Sequence, residues 1–429
     1  MLKNIVKFIL RFFSKKIIKK HKPDVIGITG SVGKTSAKEA ISAVLAGSFS
    51  VRSSFKNYNN EFGLPLTIIG AGKSPGSSGW GWLKVLIKGL GLVCLPKKKY
   101  PDMLVLEMGA DKPGDIEYLV DIAPCKVGVL TFISHAHTEF FKTIKKIAQE
   151  KRIILSHLRR DGFAVVNFDN DMVIQSIKTT KAEVITYGFK EGSDLQATDL
   201  NVIIDPNTGW PAGLNFKVSY KGNIVPVFLP GAISKPLVYA ALAGLSVGTV
   251  FGINLVQGAQ SLQKMPVMAG HMALISGIKG TLIIDDTYNS SPEPNRSALE
   301  TLSEIKIKPG ARRIAILADM LELGPETDNA HREVGFKVAE CGVDYLITVG
   351  EAAKHILASA REAGLSEDKT AGFSDSVSAG RFLQDKLNEG DVILVKGSQS
   401  MHMEKIVKEI MAEPLRAKEL LVRQDSEWN

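Results

Sequence analysis

The stretch that most constrains this chain is Gly27-Ile28-Thr29-Gly30-Ser31-Val32-Gly33-Lys34-Thr35. Before it, Asp24-Val25-Ile26 reads as the end of a short buried strand; after it, Ser36 to Ala46 reads as a helix. Glycines at a strand-to-helix turn let backbone N–H groups close on an anion, and the helix N-terminus adds partial positive charge. Gly30, Ser31, Val32, Gly33, Lys34, Thr35 and Ser36 are therefore candidates to cradle the phosphates of a nucleotide. Lys34 would reach the outer phosphates and the Thr35 hydroxyl would take Mg²⁺. Ile28 stands where the strict eight-residue pattern has its first glycine, so the spacing here is G-x-x-G-x-x-G-K-T. A bare G-K-T recurs by chance; the flanking strand and helix give this one its meaning.

With 429 residues, 45% of them hydrophobic and 23% charged, the chain has room for two or three domains with full cores. Cys94, Cys125 and Cys341 are too few and too scattered for a disulfide framework or a metal cluster, which points to a reducing, cytoplasmic compartment. The net charge of +8 is local. Residues 1–22 carry Lys3, Lys7, Arg11, Lys15, Lys16, Lys19, Lys20 and Lys22 and no acid, while the remainder balances. Lys3, Lys7 and Arg11 lie four apart with Ile5, Ile9, Phe12 and Phe13 opposite, the pattern of a basic amphipathic helix. Two readings stand for it: docking on an anionic membrane surface, peripheral at the inner face, or packing on the protein's own body with a solvated basic face. The charges exclude a spanning helix, and no small-residue cleavage site marks a signal peptide. No aromatic-basic platform accompanies them, which argues against nucleic acid. Residues 80–99, with Trp80, Trp82, Lys84 and Lys97 to Lys99, read either as a further membrane contact or as a buried hydrophobic hairpin.

Further on, apolar runs at 103–106, 127–131, 163–166 and 184–187 predict buried strands, and residues 195–229 alternate in period two, as an antiparallel addition does. Residues 231–250 form an Ala/Leu/Gly-rich helical stretch. After Gln263 a fresh series begins, with strands at 281–285, 313–317, 345–349 and 392–395 between helical stretches. The fold class is α/β: a central ATP-binding domain with a parallel sheet (23–262), then a C-terminal Rossmann-like domain (263–429), behind the N-terminal helix of residues 1–22. The charged tail after Glu413 is expected to fray. The first strands deliver Glu107 and the pair His135 and His137 to neighbouring C-terminal ends, where open α/β sheets place chemistry, and the helical stretch 144–158 carries Lys151. A carboxylate and a histidine there can hold Mg²⁺ or Mn²⁺ beside a phosphate.

Together these motifs resemble the Mur ligases, ATP-dependent enzymes that join amino acids to the peptidoglycan precursor. Thr29 to Thr35 is similar to their T-G-T-x-G-K-[ST] loop. Asn59-Asn60-Glu61-Phe62-Gly63-Leu64-Pro65-Leu66-Thr67 resembles the N-N-E-I-G-x-P-L-T stretch of the branch that adds D-alanyl-D-alanine to a UDP-linked muramoyl-tripeptide. Matches to that branch continue at Glu107-Met108-Gly109-Ala110, at residues 284–292, 319–324 and 331–335, and at Val395-Lys396-Gly397-Ser398, in order over nearly the whole chain. The resemblance implies that Lys34 and the loop amides hold ATP, helped by Asn60, and that Thr35 and Glu107 ligate one Mg²⁺. It implies that His137, rather than His135, is a metal ligand, and that Lys151 is carbamylated and helps hold a second Mg²⁺. Asp286 and Asn289 would face the nucleotide. Asp319, Glu322 and Lys396 would lie near the incoming amine or the closing interface. A substrate carboxylate would attack the γ-phosphate, and an amine would displace phosphate from the acyl phosphate.

Three departures accompany the resemblance. Only about 24 residues precede the loop, too few for the family's separate UDP-sugar domain. His271 stands where an arginine is usual. Gly231-Ala232-Ile233-Ser234 lacks the family's His and Asn near the nucleotide. The expectation is an ATP- and Mg²⁺-dependent amide ligase of cell-wall synthesis, a cytoplasmic monomer taking a small-molecule precursor and an amino acid or dipeptide. The alternatives are a ligase adding another amino acid, such as glutamate, to a non-UDP acceptor, and a silent nucleotide-binding membrane scaffold.

Overall fold

A computed structural model describes residues 2–55, 58–72, 74–76, 78–96, 99–134 and 141–424. His135 and His137 lie outside the described residues. Two sheets organise them. The first runs in the order β2 (Val51–Ser53), β3 (Met103–Glu107), β1 (Asp24–Thr29), β4 (Val127–Leu130), β5 (Phe163–Asn167), β6 (Glu183–Gly188), β7 (Leu195–Ile204), β8 (Pro211–Tyr220) and β9 (Asn223–Pro230). Pairing is parallel from β2 to β7 and antiparallel across β7, β8 and β9. Ile26, Ile28, Val105 and Val129 feed the core on one face, while Val25, Leu104, Leu106 and Leu130 feed the other. Burial on both faces is why these strands read as unbroken apolar runs.

On the first face α2 (Lys34–Ala46) lies against α7 (Lys235–Val250). A Cβ at Gly244 would come within 3.0 Å of the Ala40 backbone, so the small residues of α7 serve close helix contact. α7 starts at Lys235 with Pro236 in its first turn, later than the sequence suggested. On the second face lie α1 (Leu2–His21), α3 (Gly63–Ile69), α4 (Gly79–Cys94), α5 (Asp115–Ile122) and α6 (Ile144–Lys151). Gly79–Cys94, most of the stretch expected as a membrane contact or a hairpin, is thus a helix, and the helical stretch expected over 144–158 breaks after Lys151.

The second sheet has the order β10 (Ala273–Ser276), β11 (Leu282–Asp286), β15 (Val392–Lys396), β12 (Arg313–Ala318), β13 (Tyr345–Val349) and β14 (Thr370–Phe373), with β10 antiparallel. β11 and β15 pair in a register that sets Asp286 beside Lys396. α8 (Pro292–Glu304) follows the loop that leaves β11. The tail does not fray as far as residue 424. Arg423 is buried, pairs with Glu404 at 2.7 Å and donates to the Tyr288 carbonyl, closing the chain's end over the β11–α8 loop.

Candidate active site

Residues 30–33 turn between β1 and α2. Gly30 passes so close to β4 that a Cβ there would lie 2.0 Å from Thr131 Oγ1, and Gly33 precedes α2 with φ +82°, a left-handed conformation that favours glycine. The Thr131 hydroxyl donates to the Val32 carbonyl at 2.7 Å, and the Ser31 hydroxyl bridges to Ser134, so the loop is tied to β4 and its end. Lys34 Nζ donates to the Gly30 carbonyl at 2.8 Å, folded back over its own loop. Its burial lowers its pKa, against the pull of Glu107 and Asp111.

Thr35 opens α2, and its hydroxyl donates to Glu107 Oε2 at 3.0 Å. Glu107 stands at the end of β3, 2% exposed, and its Oε1 accepts from Asn59 Nδ2 at 3.0 Å. Asn59 and Asn60 are neighbours in sequence and both line the cleft described below, but only Asn59 of the two bonds Glu107. The Asn60 side-chain oxygen accepts from the Phe62 and Gly63 amides and caps α3. Lys151, at the end of α6, is 3% exposed. Its pKa falls to about 7, first through burial and then through the nearby charge of Lys34, with Glu150 and Asp111 opposing.

The second sheet meets these residues across a cleft of about 470 Å³. On its far wall Lys396 Nζ donates to Asp286 Oδ2 at 2.6 Å and to the Asn289 carbonyl at 3.0 Å. His271, in the arginine's place, stacks on Tyr288 with centroids 4.4 Å apart, and burial lowers its pKa. Ser31 to Ser36, Asn60, Glu107, Lys151, Asp286, Asn289 and Lys396 all line this cleft; Gly30 does not. Asp319 and Glu322 do not line it. The Asp319 carboxylate accepts from the Ala353 amide at 2.7 Å, and Glu322, exposed, sits in a turn with φ +64°.

Sequence reasoning also missed Asp111 and Ser234. Asp111 lines the cleft among the two lysines it pulls on. Ser234 precedes α7, is 2% exposed, and has a buried hydroxyl without a hydrogen-bond partner. An orphaned hydroxyl at a helix N-terminus, opening into the cleft, fits a polar ligand that completes it. Among the described residues no three His, Cys, Asp or Glu side chains cluster as a metal cage. The paired oxygens of Thr35 and Glu107 instead fit Mg²⁺, which takes few protein ligands and fills its shell with phosphates and water.

A Mur ligase middle-domain model matches residues 90–220, and a Mur ligase glutamate-ligase-domain model matches residues 270–399. The UDP-N-acetylmuramoyl-tripeptide–D-alanyl-D-alanine ligase of Synechocystis is 30% identical over 392 residues, 91% of this chain and 75% of that protein. The chain belongs to the Mur ligase family. The Bacillus subtilis ligase of the same name is 28% identical to this Mur ligase over 391 residues, 91% of the chain and 76% of the relative. The solved Thermotoga maritima MurF ligase, in complex with ADP, superposes on this Mur ligase with a TM-score of 0.76 at 25% identity, covering 96% of this chain and 84% of that one.

Proposed function

We propose that this Mur ligase is an ATP-dependent acid–amino-acid ligase of peptidoglycan precursor synthesis, joining D-alanyl-D-alanine to the carboxylate of a muramoyl-tripeptide. The observation that carries the reading is the convergence of Lys34, Thr35, Glu107 and Lys151 with Asp286, Asn289 and Lys396 on the walls of one cleft. The names and the ADP complex of the relatives support the substrates and the nucleotide.

In this reading the amides of residues 30–33 and the α2 N-terminus hold the ATP phosphates, and Lys34 leaves its loop carbonyls to meet the outer ones. Thr35 and Glu107 would hold Mg²⁺, which would supply charge neutralisation at the transferred phosphoryl group. His137 and a carbamylated Lys151 would add ligands for a second Mg²⁺. Lys151 suits that modification: a buried amine with a pKa of about 7 is substantially neutral at physiological pH and so nucleophilic toward CO₂. Addition forms the N–C bond and releases a proton, turning a cation into an oxygen ligand. Labelled bicarbonate should give a carbamate carbon signal that Lys151→Arg lacks; equal signals would refute the modification. Asp286 and Lys396 approach the nucleotide from the second sheet, and Ser234 offers its hydroxyl from α7. In the same reading the protein works in the cytoplasm, with α1 and α4 meeting the inner membrane surface.

The test is phosphate release from ATP with UDP-N-acetylmuramoyl-tripeptide and D-alanyl-D-alanine, each omitted in turn, with products weighed. Release that needs an acceptor carboxylate and the dipeptide supports the reading; release driven by another amino acid, or by neither partner, overturns it. Glu107→Ala should abolish release, and full activity in that variant would sink the site.

A further inference from the structure

Beside the ATP cleft lies a second cleft of about 450 Å³, and the two share Asn59, Asn60, Gly109 and Asp111. Its lining is polar and of mixed charge, with Lys7 and Lys112 against Glu61, Asp111 and Asp115. Lys7 comes from α1. Its Nζ lies 3.7 Å from Glu61 and 4.6 Å from the centre of the Tyr118 ring. The N-terminal helix therefore walls a cavity that opens onto the groups around the outer phosphate site.

The rest of α1 sits in a way neither sequence reading expected. Part of its basic stripe lies along the protein's body, half exposed: Lys7 meets Glu61, and Arg11 and Lys15 both pair with Asp121. Leu10 and Ile17 are buried, while Ile5, Phe8 and Phe12 face outward, Phe8 being 70% exposed. α4 lies alongside, with Gly89 so near the Phe13 ring that a Cβ would come within 2.7 Å of it. Lys20 locks the pair by donating to the Leu92 and Val93 carbonyls at the end of α4. α4 also presents apolar side chains outward, with Trp80 69% and Ile87 60% exposed. Trp82 of α4 packs edge-on to Phe62, which lines the second cleft. Of the two helices that carry the exposed apolar residues, α1 thus borders that cleft through Lys7 and α4 backs it through Phe62.

Charge decides what this face meets. Residues 1–23 and 62–101 contain no aspartate or glutamate and are rich in lysine, of which Lys16, Lys19, Lys84 and Lys88 are exposed beside the apolar side chains. The acids that adjoin α1, Glu61 and Asp121, are paired with Lys7, Arg11 and Lys15, so the exposed charges beside the apolar side chains are cationic; such a face, with a tryptophan at its edge, is complementary to an anionic bilayer surface. No described helix is long and apolar enough to cross a membrane, so the pair would lie in the interface.

Resting on the ligase reading above, we infer that the second cleft is the acceptor site and that the acceptor is a lipid-linked muramoyl-peptide, presented from an anionic membrane on which the α1–α4 face docks. The mixed charge of the cleft suits a peptide bearing both carboxylates and an ammonium group. Shared walls bring its reacting carboxylate toward the γ-phosphate, while the lipid stays in the bilayer beneath the two helices.

The experiment compares one muramoyl-tripeptide in two forms, UDP-linked in solution and polyprenyl-diphosphate-linked in vesicles of phosphatidylethanolamine and phosphatidylglycerol. The full chain is supplied with Mg²⁺, ATP and D-alanyl-D-alanine, and phosphate release and product mass are read. We expect kcat/KM for the lipid-linked form to exceed that for the soluble form at least about tenfold, the gain of a shared surface. The double variant Phe8→Ser/Trp80→Ser should lose that advantage together with vesicle co-sedimentation. Lys7→Ala should raise KM for the acceptor and leave KM for ATP in place. Equal or better use of the soluble form overturns the inference and leaves the ligase reading standing; turnover of neither form overturns both. A solution dimer that the double variant breaks, without vesicle binding, assigns the face to a second copy and also overturns it.

Discussion

The two walls of the ATP cleft are built on opposite principles. On the first-sheet wall Glu107 is held by Thr35 and Asn59, but the donors beside it are not settled: Lys34 bonds the carbonyls of its own loop, Lys151 sits buried with its pKa depressed, and the Ser234 hydroxyl has no partner. On the second-sheet wall they already satisfy one another. Lys396 is held by Asp286 and Asn289, and Asp285 accepts from the Gly270 amide, the Thr287 amide and the Thr287 hydroxyl. A wall with unmet donors gains by receiving a polyanion, whereas a self-satisfied wall can approach and withdraw without leaving charge uncompensated. The first wall is where ligand binding should register, and the second is where fold stability should.

The largest expected effect separates the walls most sharply. Lys34→Ala should cut substrate-dependent phosphate release by about 10²–10³ or more while leaving the urea midpoint nearly unchanged, because a buried ammonium with lowered pKa costs the fold charge desolvation. A large stability loss with retained turnover would reverse the assignment. On the other wall, Lys396→Met leaves the nearly buried Asp286 carboxylate unpaired and should cost about 3 kcal/mol in urea unfolding. The double change Lys396→Met/Asp286→Leu should recover most of it, and failure to recover would mean that the pair is not an isolated unit.

A smaller effect is a slope. Burial raises the Asp285 carboxyl from 3.8 to about 6, so the folded state holds a proton that the unfolded state releases earlier. The stability this provides is full below about pH 4 and lost as pH rises through about 6, a change on the order of 2–3 kcal/mol. Asp285→Asn should flatten that dependence in unfolding curves taken across the window; an unchanged slope would place the titration elsewhere. Smallest is Asn60→Ala, which removes the α3 cap and should cost about 1 kcal/mol. Its activity should fall less than that of an Asn59→Ala chain, since only Asn59 touches Glu107.

What the sequence made legible follows physical range. Strands buried on both faces announce themselves as apolar runs, so β1, β3, β4, β5, β11, β12, β13 and β15 were readable. β2, β10 and β14 span only three or four residues with no run to detect, and each is an edge strand whose place depends on a distant partner. The phosphate loop was legible because its chemistry is local. Asp286 and Lys396 lie 110 residues apart and meet only through the β11–β15 register, so resemblance alone linked them to the cleft. Asp319 was expected near the incoming amine or the closing interface; its carboxylate accepts from the Ala353 amide, a partner 34 residues on that no local pattern points to. The amphipathic character of α1 was plain, yet its inward face was not, because that depends on Asp121 and Glu61, acids that no local pattern ties to the helix.

That last dependence has a consequence for biosynthesis. α1 leaves the ribosome well ahead of its partner Asp121, which follows more than a hundred residues later. At about 5–20 residues per second, the nascent helix waits on the order of ten seconds with its cations unpaired. β1 waits with it, since its neighbours begin at residues 103 and 127. During that interval the whole circumference of the helix is open to membrane or chaperone. Only the closing of the first sheet divides it into a face that belongs to the protein and a face that does not.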